Sequence, residues 1–226
     1  MGTFKSLTAS DGHQFDAYVA QPSGKPKAGI VVLQEIFGVN SHIREVADLY
    51  ASQGYYVVAP PTMSRVRNAI ELGYTDADMQ AGFAAKLEVD ALPNNPVMLD
   101  IQAAINEAKT AGKVGIVGYC WGGLLTWKSA AQLSGLSAAV PYYGGGIPDH
   151  IALSPKCPVM AHFANDDSYI PLDAFEAFSK AHPEVEIHIY EGHHGFNCDH
   201  RAAYNETAAK AARQRTFDFF AKQLAK

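Results

Sequence analysis

The chain has 226 residues, 48% of them apolar and 18% charged, which is material for a large core and excludes a disordered tail or a charged fibre. A net charge of −5, with 18 scattered Lys and Arg, leaves no basic footprint for nucleic acid and no polybasic patch for a membrane. Three cysteines are not a disulfide framework, no signal-like segment opens the chain, and no apolar run nears the ~18 residues of a membrane span, so a cytoplasmic protein is expected.

Two short alternating stretches come first, Phe4–Thr8 and Phe15–Ala20, with Asp11-Gly12 between them as a hairpin turn signal. A loop over Gln21–Lys27 leads into Gly29–Gln34, a β-branched run of the kind buried on both faces of a sheet. Ser41 can cap a helix that runs to about Gln53 and stops at Gly54. From there strands are expected at Tyr55–Ala59, Lys113–Gly118, Leu136–Tyr142, Val159–Phe163 and Val185–Tyr190. Helices are expected at Asp76–Lys86, Val97–Thr110, Trp121–Leu133 and Leu172–Ala181, with a last amphipathic helix from about Arg201 to Leu224. Strands alternating with helices at this spacing mean βαβ units, a mainly parallel central sheet and helices on both faces. No repeat or linker interrupts the pattern, so residues 1–226 read as a single α/β domain.

The densest chemical signal is Gly118-Tyr-Cys-Trp-Gly-Gly123, where an apolar strand runs straight into a helix. It is the G-x-S-x-G nucleophile elbow with Cys120 in place of Ser. A sharp strand-to-helix turn holds the central side chain above the sheet, and the helix N-terminus favours a thiolate there. A lone Cys would more often be a buried core thiol. Here two glycines, the strand before and the helix after must be explained together.

A nucleophile of this kind needs a base, and the base needs an orienting carboxylate. Both should follow in the order nucleophile, acid, His, at the C-terminal ends of later strands. The strand Val159–Phe163 opens into a loop with Asp166 and Asp167, and Val185–Tyr190 opens into one with His193 and His194. Spacing alone does not choose within either couple. His162 and His188 lie inside strands and read as core or lining residues, and His13, His42, His150, His182 and His200 as surface ones.

These segments together resemble the dienelactone hydrolase family, the thiol-using branch of the α/β-hydrolase fold, over nearly the whole chain. Gln34-Glu-Ile-Phe-Gly-Val-Asn40 is similar to the family segment after the first central strand, and Gly118–Gly123 to its elbow. In the family's acid loop the catalytic Asp is followed by three residues and Pro, which implies Asp167; in its His loop the base precedes a small residue and Phe, which implies His194. The resemblance further implies that Glu35 holds the resting thiol neutral and takes its proton when substrate enters. A carboxylate beside a thiol independently disfavours a second negative charge. The backbone N–H groups of Ile36 and Trp121 are implied as the oxyanion hole, and an ester or lactone as the small-molecule substrate, cleaved through a thioacyl-enzyme.

The match breaks at the two arginines that hold the substrate carboxylate in this family. No Arg lies between Asn68 and Gly112, and Cys198 stands where the second would be. Arg65, Arg67 and Arg201 are candidates to reach the pocket from elsewhere, though each reads first as a surface charge, with Phe37, Tyr119, Trp121, Tyr143 and Phe196 as lining, a set that suits a less charged or aromatic ester. His193, His194, Cys198 and His200 are clustered, but their spacing is no familiar zinc pattern, so no metal and no cofactor is expected. Nucleic acid and membrane are not expected partners, and the protein reads as a monomer or small homo-oligomer. The rival reading is a non-catalytic ligand-binding relative of the same fold.

Overall fold

The chain opens with the expected hairpin: β1 (Thr3–Thr8) and β2 (Gln14–Ala20) pair antiparallel, from Thr3 opposite Val19 to Thr8 opposite Gln14. Gly12 makes the turn at φ +90°, a conformation that costs glycine nothing. The computed structural model describes residues 2–225; Met1 and Lys226, the two ends of the expected domain, lie outside the described residues. The chain divides into two compact units, one ending at Val114 and the other starting at Gly115.

In the first unit β3 (Gly29–Leu33) has Ile30, Val31, Val32 and Leu33 fully buried, as a run without polar alternation requires. The helix α1 (Ser41–Ser52) is capped by Asn40, whose side chain accepts the Ile43 N–H, and not by Ser41 as the sequence suggested. Asn40 has extended backbone while Ser41 is already helical, and the cap is the last residue outside the helix. Ile43, Val46, Ala47, Tyr50 and Ala51 form its buried stripe. After it, β4 (Tyr56–Ala59) lies between β2 and β3, antiparallel to the first and parallel to the second. A capping box between Thr75 and Asp78 starts α2 (Asp76–Asp90), which runs on past the expected Lys86. The next helix, α3 (Val97–Ala108), ends earlier than expected, in a 3₁₀ turn over Lys109–Ala111. A Cβ on Gly29 would lie 2.2 Å from the Ala108 carbonyl oxygen, so only glycine lets β3 start this close to the end of α3.

The second unit takes up β5 (Val114–Tyr119) one residue after it begins and continues through α4 (Trp121–Gln132), β6 (Leu136–Tyr142), β7 (Met160–Asp166), α5 (Leu172–Ala181), β8 (Glu186–His193) and α6 (Glu206–Gln223). Its strands follow the order β5-β6-β7-β8, with β7 parallel to both β6 and β8. The last helix starts at Glu206, not Arg201, because Asn205 caps it by accepting the Ala208 N–H. Ala203 therefore falls outside its buried stripe, which is Ala208, Ala209, Ala212, Thr216, Phe219 and Phe220. His162 is fully buried on β7, in line with a core role. His42 and His182, read as surface residues, are buried; His182 packs its ring on Trp127 and Phe178 and bonds the Ile151 carbonyl through Nε2 at 2.7 Å.

Candidate active site

The elbow forms as the sequence requires. β5 ends at Tyr119, α4 begins at Trp121, and Cys120 between them has φ 56° and ψ −119°, backbone that an L-residue adopts only under constraint. The constraint is local. The Cys120 N–H donates to the Tyr142 carbonyl at 3.0 Å, and the Cys120 carbonyl accepts from Gly123 and Leu124. A Cβ on Gly118 would lie 2.1 Å from the Gly122 carbonyl oxygen, which places the strand-to-helix crossing in direct backbone contact. Gly123 is a second tight point that the motif does not announce: its Cβ would meet the Tyr142 carbonyl oxygen at 2.6 Å.

Of the three thiols, Cys198 is fully buried and Cys157 is half-buried, its thiol pushed up to about 11 by burial. Cys120 keeps partial access to solvent at the start of a helix.

Two histidine–aspartate pairs stand side by side at the ends of β7 and β8. Both strands run further than their apolar runs suggested, so Asp166 and His193 are the last paired residues of the ladder. Their side chains meet at 3.0 Å, and both are largely exposed. Asp167 and His194 come one residue later, where the chain turns to the inner face. Here Nδ1 of His194 donates to Asp167 Oδ2 at 2.8 Å, with side-chain exposures of 8% and 0%. Burial therefore separates the couples: the outer pair is solvated, and the inner pair is desolvated. Burial disfavours the charged form of His194. It is outweighed by the Cys120 sulfur, a neighbouring negative charge when ionised, and by the Asp167 carboxylate that accepts from Nδ1, so the imidazole is pushed up to about 10. Yet Nε2 meets no hydrogen-bond partner of good geometry. The sulfur is near enough to act on the ring as a charge without meeting the geometry of a hydrogen bond.

Aromatic rings enclose the imidazole. Tyr143 lies edge-to-face on it at 5.1 Å between centroids and is fully buried, held at φ 34°. Phe196, also fully buried, packs behind Tyr143 at 5.3 Å, and Tyr119 packs on Tyr142 at 4.8 Å. Tyr143 and Phe196 thus back the base rather than line an open wall. The ring on the solvent side is Tyr169, 51% exposed, at 4.7 Å from His194. The sequence shows an aromatic between the acid and Pro171, but its place beside the base comes from the fold.

Glu35, Ile36 and Phe37 belong to the first unit. All three are buried, and Phe37 sets its ring against Tyr74 at 4.7 Å. The Ile36 carbonyl faces α2 where Gly82 leaves room: a Cβ there would lie 2.4 Å from it. Arg65 does not present a free guanidinium. It makes four hydrogen bonds of 2.7–3.0 Å to the carboxylates of Asp100 and Asp11, and Asp100 is fully buried. That commitment weighs against the pocket role suggested for it, since releasing Arg65 would strand the buried Asp100 carboxylate.

Among the described residues no helix is long and apolar enough to cross a membrane. The dienelactone hydrolase family model matches residues 15–224. A carboxymethylenebutenolidase of Pseudomonas putida is 34% identical over 226 residues, covering 96% of this chain and 94% of that protein. A crystal structure from Klebsiella pneumoniae, provisionally named a dienelactone hydrolase, superposes with a TM-score of 0.82 at 30% identity, over 97% of this chain and 99% of its own. An esterase of Pyrococcus furiosus shares the fold alone, at a TM-score of 0.73 and 13% identity, over 100% of this chain and 93% of that one. Matched from Phe15 to Leu224 by the family model and at 34% identity by a named relative, this chain belongs to the dienelactone hydrolase family, an α/β-hydrolase fold of hydrolytic enzymes.

Proposed function

We propose that the chain, as one domain, hydrolyses a carboxylic ester or lactone through Cys120, His194 and Asp167 by way of a thioacyl-enzyme. The observation that carries this reading is the buried His194–Asp167 pair beside a thiol held at positive φ on the elbow. The family match over both units supports the single domain.

Acylation begins when Cys120 Sγ, as thiolate, attacks the carbonyl carbon. The C–S bond forms and the carbonyl π pair moves to oxygen, where the backbone N–H of Trp121 receives it, and the family resemblance assigns the second donor to the N–H of Ile36. Trp121 is the first residue of α4, and its N–H has no place in the helix ladder. Collapse of the intermediate breaks the C–O bond, and the leaving oxygen takes the proton on His194 Nε2. Neutral His194 then removes a proton from water as it attacks the thioester, and the thiolate leaves with the imidazolium restored. Asp167 holds Nδ1–H throughout and favours the charged ring. Glu35 is proposed to keep the resting thiol neutral and to accept its proton on substrate entry, a role that rests on the family resemblance and on the general rule that a carboxylate beside a thiol disfavours a second negative charge.

For the substrate we infer a neutral or aromatic ester. Arg65 is engaged elsewhere, Cys198 stands four residues after His194, and the rings of Tyr143 and Tyr169 flank the base. The test is hydrolysis of p-nitrophenyl acetate, a neutral lactone and a carboxylated dienelactone by wild type and Cys120→Ala. Turnover that vanishes in the variant, greatest on an uncharged substrate, is the expected result. No turnover of any of the three would favour a ligand-binding protein instead.

A further inference from the structure

Three rings or carboxylates touch His194, and two of them are buried. Asp167 takes Nδ1 and Tyr143 covers one side of the ring from within. Tyr169 covers it from outside, its ring 60° to the imidazole at 4.7 Å, with half its surface still open to water. An exposed tyrosine in a loop is ordinarily free to swing. This one is registered to the base by the same carboxylate that orients the base, because Asp167 gives Oδ2 to His194 and Oδ1 to the Tyr169 backbone N–H at 2.8 Å. The following residue closes the turn, Ile170 N–H donating to the Asp167 carbonyl at 3.1 Å. On the far side Gly145 leaves only contact distance, since a Cβ there would sit 3.4 Å from that of Tyr169.

We propose that Tyr169 is the specificity-determining residue for the alcohol part of the ester, its exposed ring forming the platform on which a planar, unsaturated or aromatic leaving group stacks. The inference rests on the hydrolytic reading of Cys120 and His194. Its chemistry follows from the order of events: the leaving oxygen must receive its proton from His194 Nε2, so the departing group lies beside that ring, whereas the acyl group stays with Cys120. Of the two rings that meet His194 among the described contacts, Tyr143 is buried and Tyr169 is open. Face or edge contact with a second ring is favoured over contact with an alkyl chain, and the remaining open half of Tyr169 is area the leaving group can cover. The phenol hydroxyl has no part in this, so Tyr169→Phe should behave as wild type.

The experiment compares two uncharged esters with the aromatic ring on opposite sides, phenyl acetate and ethyl benzoate, on wild type, Tyr169→Phe and Tyr169→Ala. Taking each variant against wild type on the same ester cancels the esters' own reactivities. The expected result is a loss of about tenfold in kcat/KM for phenyl acetate with Tyr169→Ala, carried by KM, under twofold for ethyl benzoate, and no loss on either with Tyr169→Phe. An equal loss on both esters would mark Tyr169 as a support for His194 only, and no loss on either would remove it from the site; both overturn the proposal. If wild type turns over neither ester, the hydrolytic reading fails by itself. The platform is then judged by alkylation of Cys120 with iodoacetamide: protection by phenol in wild type and Tyr169→Phe but not in Tyr169→Ala upholds it, and equal protection in all three overturns it.

Discussion

Cys120, Cys157 and Cys198 are one side chain in three surroundings, and the surroundings order their reactivity. Cys198 has no exposure, and burial holds the Cys157 thiol near 11, so neither offers a thiolate to a reagent at neutral pH. Stoichiometric iodoacetamide at pH 7.5 should therefore modify Cys120 alone, with Cys157 joining only above about pH 10; peptide mass mapping that finds Cys157 modified first would refute the assignment. The two aspartates separate as sharply. Asp167→Asn leaves the geometry and removes the charge that favours the imidazolium, with an expected fall in kcat of ~10²–10⁴. Asp166→Asn disturbs a solvated pair and should change kcat less than twofold. At this scale the spacing in the sequence offers residues of the kinds such a site needs and leaves both couples open. Alternation along a strand depends on where the strand ends, and β7 and β8 each run three residues past their apolar segments. A family motif could choose Asp167 and His194; spacing could not. Tyr169 was missed for a related reason, because exposure beside a base is a fact of three dimensions.

Among the elements, those whose order is written in apolar runs and turn residues appear where expected: the hairpin, the buried strand after Gly29, the elbow and the strands after it. Helix ends moved by several residues, at Asp90, Ala108 and Glu206, because caps and 3₁₀ turns decide them and several residues compete for each cap. The elbow is where element geometry becomes chemistry. The space for a side chain at residue 118 is already filled by the Gly122 carbonyl, which belongs to the first turn of α4 and cannot give way without moving Trp121 and Cys120. Gly118→Ala is thus expected to cost about 2–4 kcal/mol of stability and most of the activity together, read by chemical denaturation and by kcat. A variant that folds with full stability and full kcat would show that the crossing is looser than these contacts allow.

The stability of the molecule as a whole is tied to pH through a buried group the chemistry does not use. Tyr190 Oη accepts from Arg215 Nη1 at 2.9 Å, so its own proton goes to His162 Nδ1, also at 2.9 Å. That fixes the tautomer: Nε2 carries the proton and donates to Thr216 Oγ1 at 3.0 Å, while Thr216 accepts from Tyr142 at 2.6 Å and donates to the Ala212 carbonyl at 2.9 Å. Strands β6, β7 and β8 and helix α6 are joined by this chain, and every member is satisfied only while His162 is neutral. A second proton would point Nδ1–H at the Tyr190 hydrogen. Burial holds the imidazole well below its usual range, and the nearby charges of His188 and Arg215 push the same way. The sign follows directly. Above about pH 6.5 both folded and unfolded chains keep this histidine neutral and it contributes no pH dependence. As pH falls below that value the unfolded chain binds a proton that the folded one refuses, so stability drops, by about 1.4 kcal/mol at pH 5.5. His162→Gln keeps one acceptor and one donor without the titration. Between pH 7.5 and 5.5 wild type should lose about 3–6 °C more in Tm than this variant. Equal losses in the two would mean that the network admits the proton, and with it that His162 is not what holds α6 to the strands near neutral pH.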